Sequence, residues 1–140
     1  MNNFKNIILL TFLIFFTSLN AEISNYQKGK NLFKEKKFDL AKFKFEQDIV
    51  FNPKNENSYL YLAKIYKFKK NDDLEETNLK TVILLNPKNE EAILNLTFLK
   101  IRKSNYSESK KLIKTFKKIC KNLCEQSSNL QNQLDNILLN

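Results

Sequence analysis

The sequence predicts an all-α chain: a short right-handed α-solenoid of about three helix hairpins, closed by a C-terminal capping helix. Three observations carry this. Asn52-Pro53-Lys54-Asn55-Glu56 recurs as Asn86-Pro87-Lys88-Asn89-Glu90 with the prolines 34 residues apart, a period that marks stacked helix-turn-helix units. Cut at that period, the chain gives units 22–55, 56–89 and 90–123, each opening on a glutamate: Glu22, Glu56 and Glu90. Within the second unit, Tyr59, Leu62, Ala63 and Tyr66 share one helical face and Leu79 and Val82 another, on either side of the polar run Lys70-Asn71-Asp72-Asp73.

The segment before the first unit has a different character. A short positive start with Lys5 leads into the apolar run Ile7 to Phe16, and Thr17-Ser18-Leu19-Asn20-Ala21 follows with small and polar residues. The run is too short for a comfortable membrane span, which needs about 20 residues, so 1–21 reads as a secretory signal peptide cut after Ala21. Leu19 fits the cleavage pattern poorly, and an uncleaved anchor in the inner membrane over residues 7–19 is the alternative. Export into the periplasm of a two-membrane bacterium is the expected location.

Removing 1–21 leaves 119 residues, enough for one core. Each unit begins as a helix should: Asn55 and Asn89 are placed to cap exposed amides, and the glutamate that follows meets the positive end of the helix dipole. Each Pro closes the helix before it. After Cys124, Ser128 and Gln131 form a capping-box pair, and Leu130, Leu134, Ile137 and Leu138 make an apolar stripe. Residues 124–140 therefore read as the polar-backed helix that a solenoid needs at its end.

These features resemble the tetratricopeptide repeat family. The first unit carries its pattern at Gly29, Leu32, Ala41, Phe45 and Pro53 and departs from it at Asn25, Lys28 and Asp48; the third matches at Ile93, Leu96, Ser109 and Ile113, with Thr97, Lys100, Phe116 and Lys121 off pattern. Glu75 stands where the second unit's second helix should have a small residue, so that repeat is expected to pack a little loosely. Gly29, the chain's one glycine, sits where two helices cross closely.

The resemblance implies that the first helices of successive units line a concave groove. Projecting the helical period puts Tyr26, Lys30 and Lys34 of the first unit, Leu60, Tyr61, Lys64 and Phe68 of the second, and Asn95, Phe98 and Arg102 of the third on that face. Tyrosines would anchor a protein or peptide ligand, and lysines would orient its acidic groups. Lys30, Asn95 and Arg102 echo the residue types of a family clamp for peptide carboxylates, without its spacing.

Absences narrow the chemistry. With no histidine and a single glycine, the chain has no His-based catalytic triad, no His-ligated metal and no phosphate-cradling loop. No enzyme activity, cofactor or metal is expected. Cys120 and Cys124 are the only cysteines, and in an exported chain they read as one disulfide stapling the capping helix, easier to close if the chain turns at Asn122.

The expected function is thus an exported adaptor or scaffold for a protein or peptide, acting in envelope complex assembly. Two alternatives stand beside it: a small thiol-disulfide factor using the two cysteines, and a polyanion binder, for which a net charge of +9 and a pI near 9.5 speak. Nucleic acid ranks behind a peptide because of the export signal, and scattered lysines also fit an AT-rich bacterial genome. Three repeats lie near the minimum for stability, so self-association is a further expectation.

Overall fold

The computed structural model describes residues 23–139; the leader expected at 1–21 lies outside them. Seven helices and no strand occur among the described residues: α1 Asn25–Lys34, α2 Phe38–Phe51, α3 Glu56–Phe68, α4 Asp72–Leu85, α5 Glu90–Arg102, α6 Tyr106–Ile119 and α7 Gln126–Leu139. None is long and apolar enough to cross a membrane. The first six form three hairpins, and α7 packs against the last, giving the all-α solenoid.

The core is relayed from hairpin to hairpin. Ala41 and Phe45 of α2 pack with Leu62 and Ile65 of α3. Leu60 and Ala63, on the other side of α3, join Leu79 and Val82 of α4 and Ala92, Leu96 and Leu99 of α5. Ile93 and Ile101 of α5 then meet Ile113 and Phe116 of α6 and Leu130 and Leu134 of α7. Each hairpin buries its apolar faces only with its neighbours, which is the physical basis of a solenoid.

Within each hairpin the turn has one form. Lys36, Lys70 and Ser104, spaced by the same 34-residue period, adopt positive φ of 60°, 55° and 55°. The next residue's amide donates back across the turn, Lys37 to Leu32 O at 2.9 Å, Asn71 to Tyr66 O at 2.9 Å and Asn105 to Lys100 O at 2.8 Å. This is the bonding of a left-handed helix cap, where glycine is the usual residue.

The helix starts depart from expectation in three places. Asn89 caps α5 by accepting from the Ala92 amide at 2.9 Å, but Asn55 makes no such bond. Its side chain turns instead to a buried polar cluster, donating through Nδ2 to Asp48 Oδ2 at 2.6 Å and Ser58 Oγ at 3.2 Å, and its oxygen makes no bond to the amides of the first turn. The first helix begins at Asn25, capped by Ser24 Oγ accepting from the Gln27 amide, and not at the glutamate of the repeat register; no Asn-Pro turn precedes it. Ser128 lies inside α7, and its hydroxyl donates to Glu125 O at 2.9 Å, so the expected capping box with Gln131 is not formed. Along α7 only Leu130 and Leu134 are buried, while Ile137 and Leu138 are 42 % and 45 % exposed.

Asp48, Thr97, Lys100, Phe116 and Glu75, all off the repeat pattern, are buried, and the polar ones among them find partners. Asp48 accepts from Asn52, Asn55 and Ser58. Thr97 returns its hydroxyl to Ile93 O at 2.7 Å, and Lys100 reaches Glu76 at 2.7 Å and Glu108 at 2.9 Å. Phe116 is fully buried core. Glu75 is packed and not loose: it is 1 % exposed and paired with Arg102.

Candidate functional site

The first helices of the hairpins, α1, α3 and α5, lie side by side and meet through side chains. The Tyr26 ring of α1 is edge-on to Tyr61 of α3, centroids 6.1 Å apart, and Tyr61 stacks on Phe45 beneath it at 4.9 Å. Lys30 Nζ lies 5.5 Å from the Tyr26 centroid, Lys64 Nζ 4.9 Å from that of Tyr61, and Lys67 Nζ 6.0 Å from that of Phe98. The lysines thus repeat one motif along the face, an ammonium over an aromatic ring. Burial and the nearby Tyr61 and Asp48 raise the Tyr26 hydroxyl above its ordinary range, so it stays protonated and available as a donor.

Between α3 and α5 the face is polar. Lys64 pairs with Glu91 at 2.7 Å, and Lys67 donates to Asn95 Oδ1 at 3.3 Å. Arg102, at the end of α5, donates to Asp72 and Glu75, each at 2.7 Å. Burial pushes the Glu75 carboxyl above its ordinary value, and Arg102 pulls it back.

Of the ten residues projected onto the groove, Tyr26, Lys30, Tyr61, Lys64, Asn95 and Phe98 come together on this surface, and Lys34 is exposed at the end of α1. Three do not belong to an open groove. Leu60 is 6 % exposed in the core between α3, α4 and α5, since the border of the projected arc falls on the inward side. Phe68 is 66 % exposed but turns to Phe38 at the start of α2, centroids 4.3 Å apart. Arg102 already holds two carboxylates of α4, so it cannot complete a clamp with Lys30 and Asn95. Lys67 lies on this surface beside Glu91, which the helical projection also places on the groove face, and Glu75 is buried just beneath them; Lys67 and Glu75 were not projected as site residues. Only Glu75 had a signal in the sequence, as a misfit to the repeat.

At the other end, Cys120 and Cys124 follow α6, with Cα atoms 5.1 Å apart and sulfurs at bonding distance. The helix stops at Ile119, which lets the chain turn between them. Glu90 Oε2 fixes that turn, accepting from the amides of Asn122 at 3.0 Å and Leu123 at 2.9 Å.

No protein-family profile matches the chain, and no curated protein matches it in sequence. Solved structures do match in fold. The first TPR domain of Spaghetti (RPAP3), bound to the HSP90 peptide SRMEEVD, superposes with a TM-score of 0.74 at 20% identity, over 83% of this chain and 94% of that one. The Yersinia enterocolitica type III secretion chaperone SycD, in complex with a peptide of the translocator YopD, gives 0.73 at 16% identity, over 82% and 90%. The second TPR domain of human RPAP3, in complex with the HSP70 peptide SGPTIEEVD, gives 0.70 at 18%, over 80% and 92%. The fold of the described residues is therefore that of a tetratricopeptide-repeat domain.

Proposed function

We propose that this chain is a non-enzymatic adaptor that holds a peptide or protein segment across α1, α3 and α5, and that it is exported and serves the assembly of an envelope complex. The observation that carries the reading is the row of ammonium-over-ring pairs, Lys30 on Tyr26, Lys64 on Tyr61 and Lys67 on Phe98. Aromatic rings supply most of the energy at peptide interfaces, and the lysine heads favour a ligand with acidic groups. The three similar structures hold peptides, two of them ending in Glu-Glu-Val-Asp, which supports the same use of this fold here. A photo-crosslinking residue at Lys34 should give a discrete protein adduct in envelope extracts that Lys30→Glu abolishes. The same adduct from Leu84, 81 % exposed on α4, would overturn the reading.

Export rests on residues 1–21 and carries two consequences. The mature chain should begin at Glu22, which N-terminal sequencing reads; a retained leader would favour the anchored form. In an oxidising compartment Cys120 and Cys124 form a structural disulfide, seen as two fewer thiols when the native chain is alkylated before and after reduction.

One observation favours polyanion binding as a second reading. Lys110, Lys114, Lys117 and Lys118 line a hollow of about 300 Å³ between α6 and α7 with Gln131. Lys117 donates to Gln131 at 3.3 Å, while Lys110, Lys114 and Lys118 enter no ion pair among the described residues. Binding there would weaken steeply with salt through counterion release, whereas a peptide anchored on rings would depend on salt only weakly.

A further inference from the structure

Position 75 breaks the repeat's own rule. One repeat earlier and one later stand Ala41 and Ser109, both small and fully buried. Glu75 is as buried as they are, yet only its Oε2 is satisfied, by Arg102 at 2.7 Å; among the described residues Oε1 has no hydrogen-bond partner. A buried carboxylate oxygen left unpaired lowers stability, and departures of this kind from an otherwise consistent pattern concentrate at functional sites.

Beside Glu75 lies a hollow of about 10 Å³, bounded by Ala63, Lys64 and Lys67 of α3, Leu79 of α4 and Asn95 of α5. It admits a group the size of one water. Its polar lining is of both kinds: Glu75 Oε1 accepts, and Lys67 Nζ donates, at present to Asn95 Oδ1. A cationic ligand would meet Lys64, Lys67 and Arg102, and an anionic one would meet Glu75. A neutral group that both donates and accepts suits the pair.

We propose that Glu75 floors a socket for the side-chain carboxamide of an Asn or Gln in a peptide lying across α3 and α5. The amide N–H donates to Glu75 Oε1, and the amide carbonyl accepts from Lys67 Nζ, which leaves Asn95 and opens the hollow. The socket deepens the peptide-groove reading and rests on it.

The test is selection of displayed random twelve-residue peptides on the wild-type chain and on Glu75→Ala, a variant that restores the residue type of position 41 and whose folding a thermal melt confirms. Wild type should enrich Asn or Gln at one position. A synthetic peptide from that pool should bind Glu75→Ala about tenfold or more weakly, the loss expected for a hydrogen bond to a charged acceptor, and its Asn→Leu version should bind both proteins equally. A wild-type pool without an amide position, or equal affinity of the amide peptide for both proteins, overturns the socket and leaves the groove, the hollow then holding a water. An empty pool on both folded proteins overturns the groove as well.

Discussion

Glu56 Oε1 accepts a hydrogen bond from Asn86 Nδ2 at 2.8 Å, so the carboxylate that opens α3 holds the turn that ends α4. Asn89 Nδ2 reaches the same oxygen at 3.2 Å, and Glu90 does the equivalent for the amides of Asn122 and Leu123 one repeat on. The repeated Asn-Pro-Lys-Asn-Glu block is thus a staple between the two ends of a hairpin as well as a helix boundary. Glu56→Ala removes two charge-assisted hydrogen bonds and a favourable charge at a helix start, and should cost about 1–3 kcal/mol. A urea titration reads this as a lower midpoint at unchanged slope.

Gly29 should not tolerate even a methyl group. A Cβ there would lie 2.8 Å from Phe45 Cε1 and 2.9 Å from Cδ1, and Phe45 is fully buried and stacked on Tyr61, so the ring has nowhere to go. Alanine would gain roughly 1 kcal/mol in helix propensity, against an overpacking cost of about 1–3 kcal/mol. Gly29→Ala should therefore lower the melting temperature in spite of its better propensity; a raised one would show that the crossing of α1 and α2 is loose.

The architecture was legible because one motif repeats at a fixed distance and the apolar faces beside it have helical spacing. The hairpin turns were not marked, since Lys36, Lys70 and Ser104 hold the positions where glycine would have announced a left-handed cap. The groove was half legible. Helical projection locates Tyr26, Tyr61 and Phe98, but it cannot see that Leu60 belongs to the core shared with α5, or that Arg102 reaches back 27 residues to Glu75. Those outcomes depend on how neighbouring repeats abut, and the period of a single helix does not contain that.

Lys70 offers a test of the caps. It adopts φ of 55° at an exposed turn, where a residue bearing a Cβ is disfavoured by roughly 1–2 kcal/mol and glycine is not. Part of that gain is offset by the greater freedom of glycine in the unfolded chain. Lys70→Gly should stabilise the protein by about 0.5–1 kcal/mol, seen as a higher urea midpoint, whereas glycine at Lys80, within α4, should destabilise it by about 1 kcal/mol.

The proposed bond between Cys120 and Cys124 closes a loop of sequence separation 4, and chain entropy assigns so short a loop about 2 kcal/mol. Because α7, among the described residues, packs chiefly against α6 and α5, the loss should be felt there first. Reduction should lower the melting temperature by several degrees and speed amide exchange around Leu130 and Leu134 before it reaches α3. Exchange that rises uniformly along the chain would show that the staple is not local.

Adjacent carboxylates on α4 should respond to acid in opposite directions. Hydrogen bonds from Lys100, and then from Lys80, hold Glu76 down from the ordinary 4.5 to about 2. Lys103 stands 3.5 Å away on the same carboxylate, and Glu108 shares Lys100. A folded value below the unfolded one gives stability that is complete above about pH 4.5 and lost as pH falls toward 2. Glu75 has the reverse sign: burial raises it, so its charged form weakens the fold at neutral pH, and the penalty is relieved as pH falls from its raised value through 4.5. Glu76→Gln should therefore be destabilising at pH 7, with the difference shrinking as pH falls below about 4.5 and closing only at about pH 2 and below, when urea midpoints of variant and wild type are compared across that range. Glu75→Gln should change the slope only above about pH 4.5, and a parallel offset between either variant and wild type at every pH would show that these carboxylates titrate alike in the folded and unfolded chains.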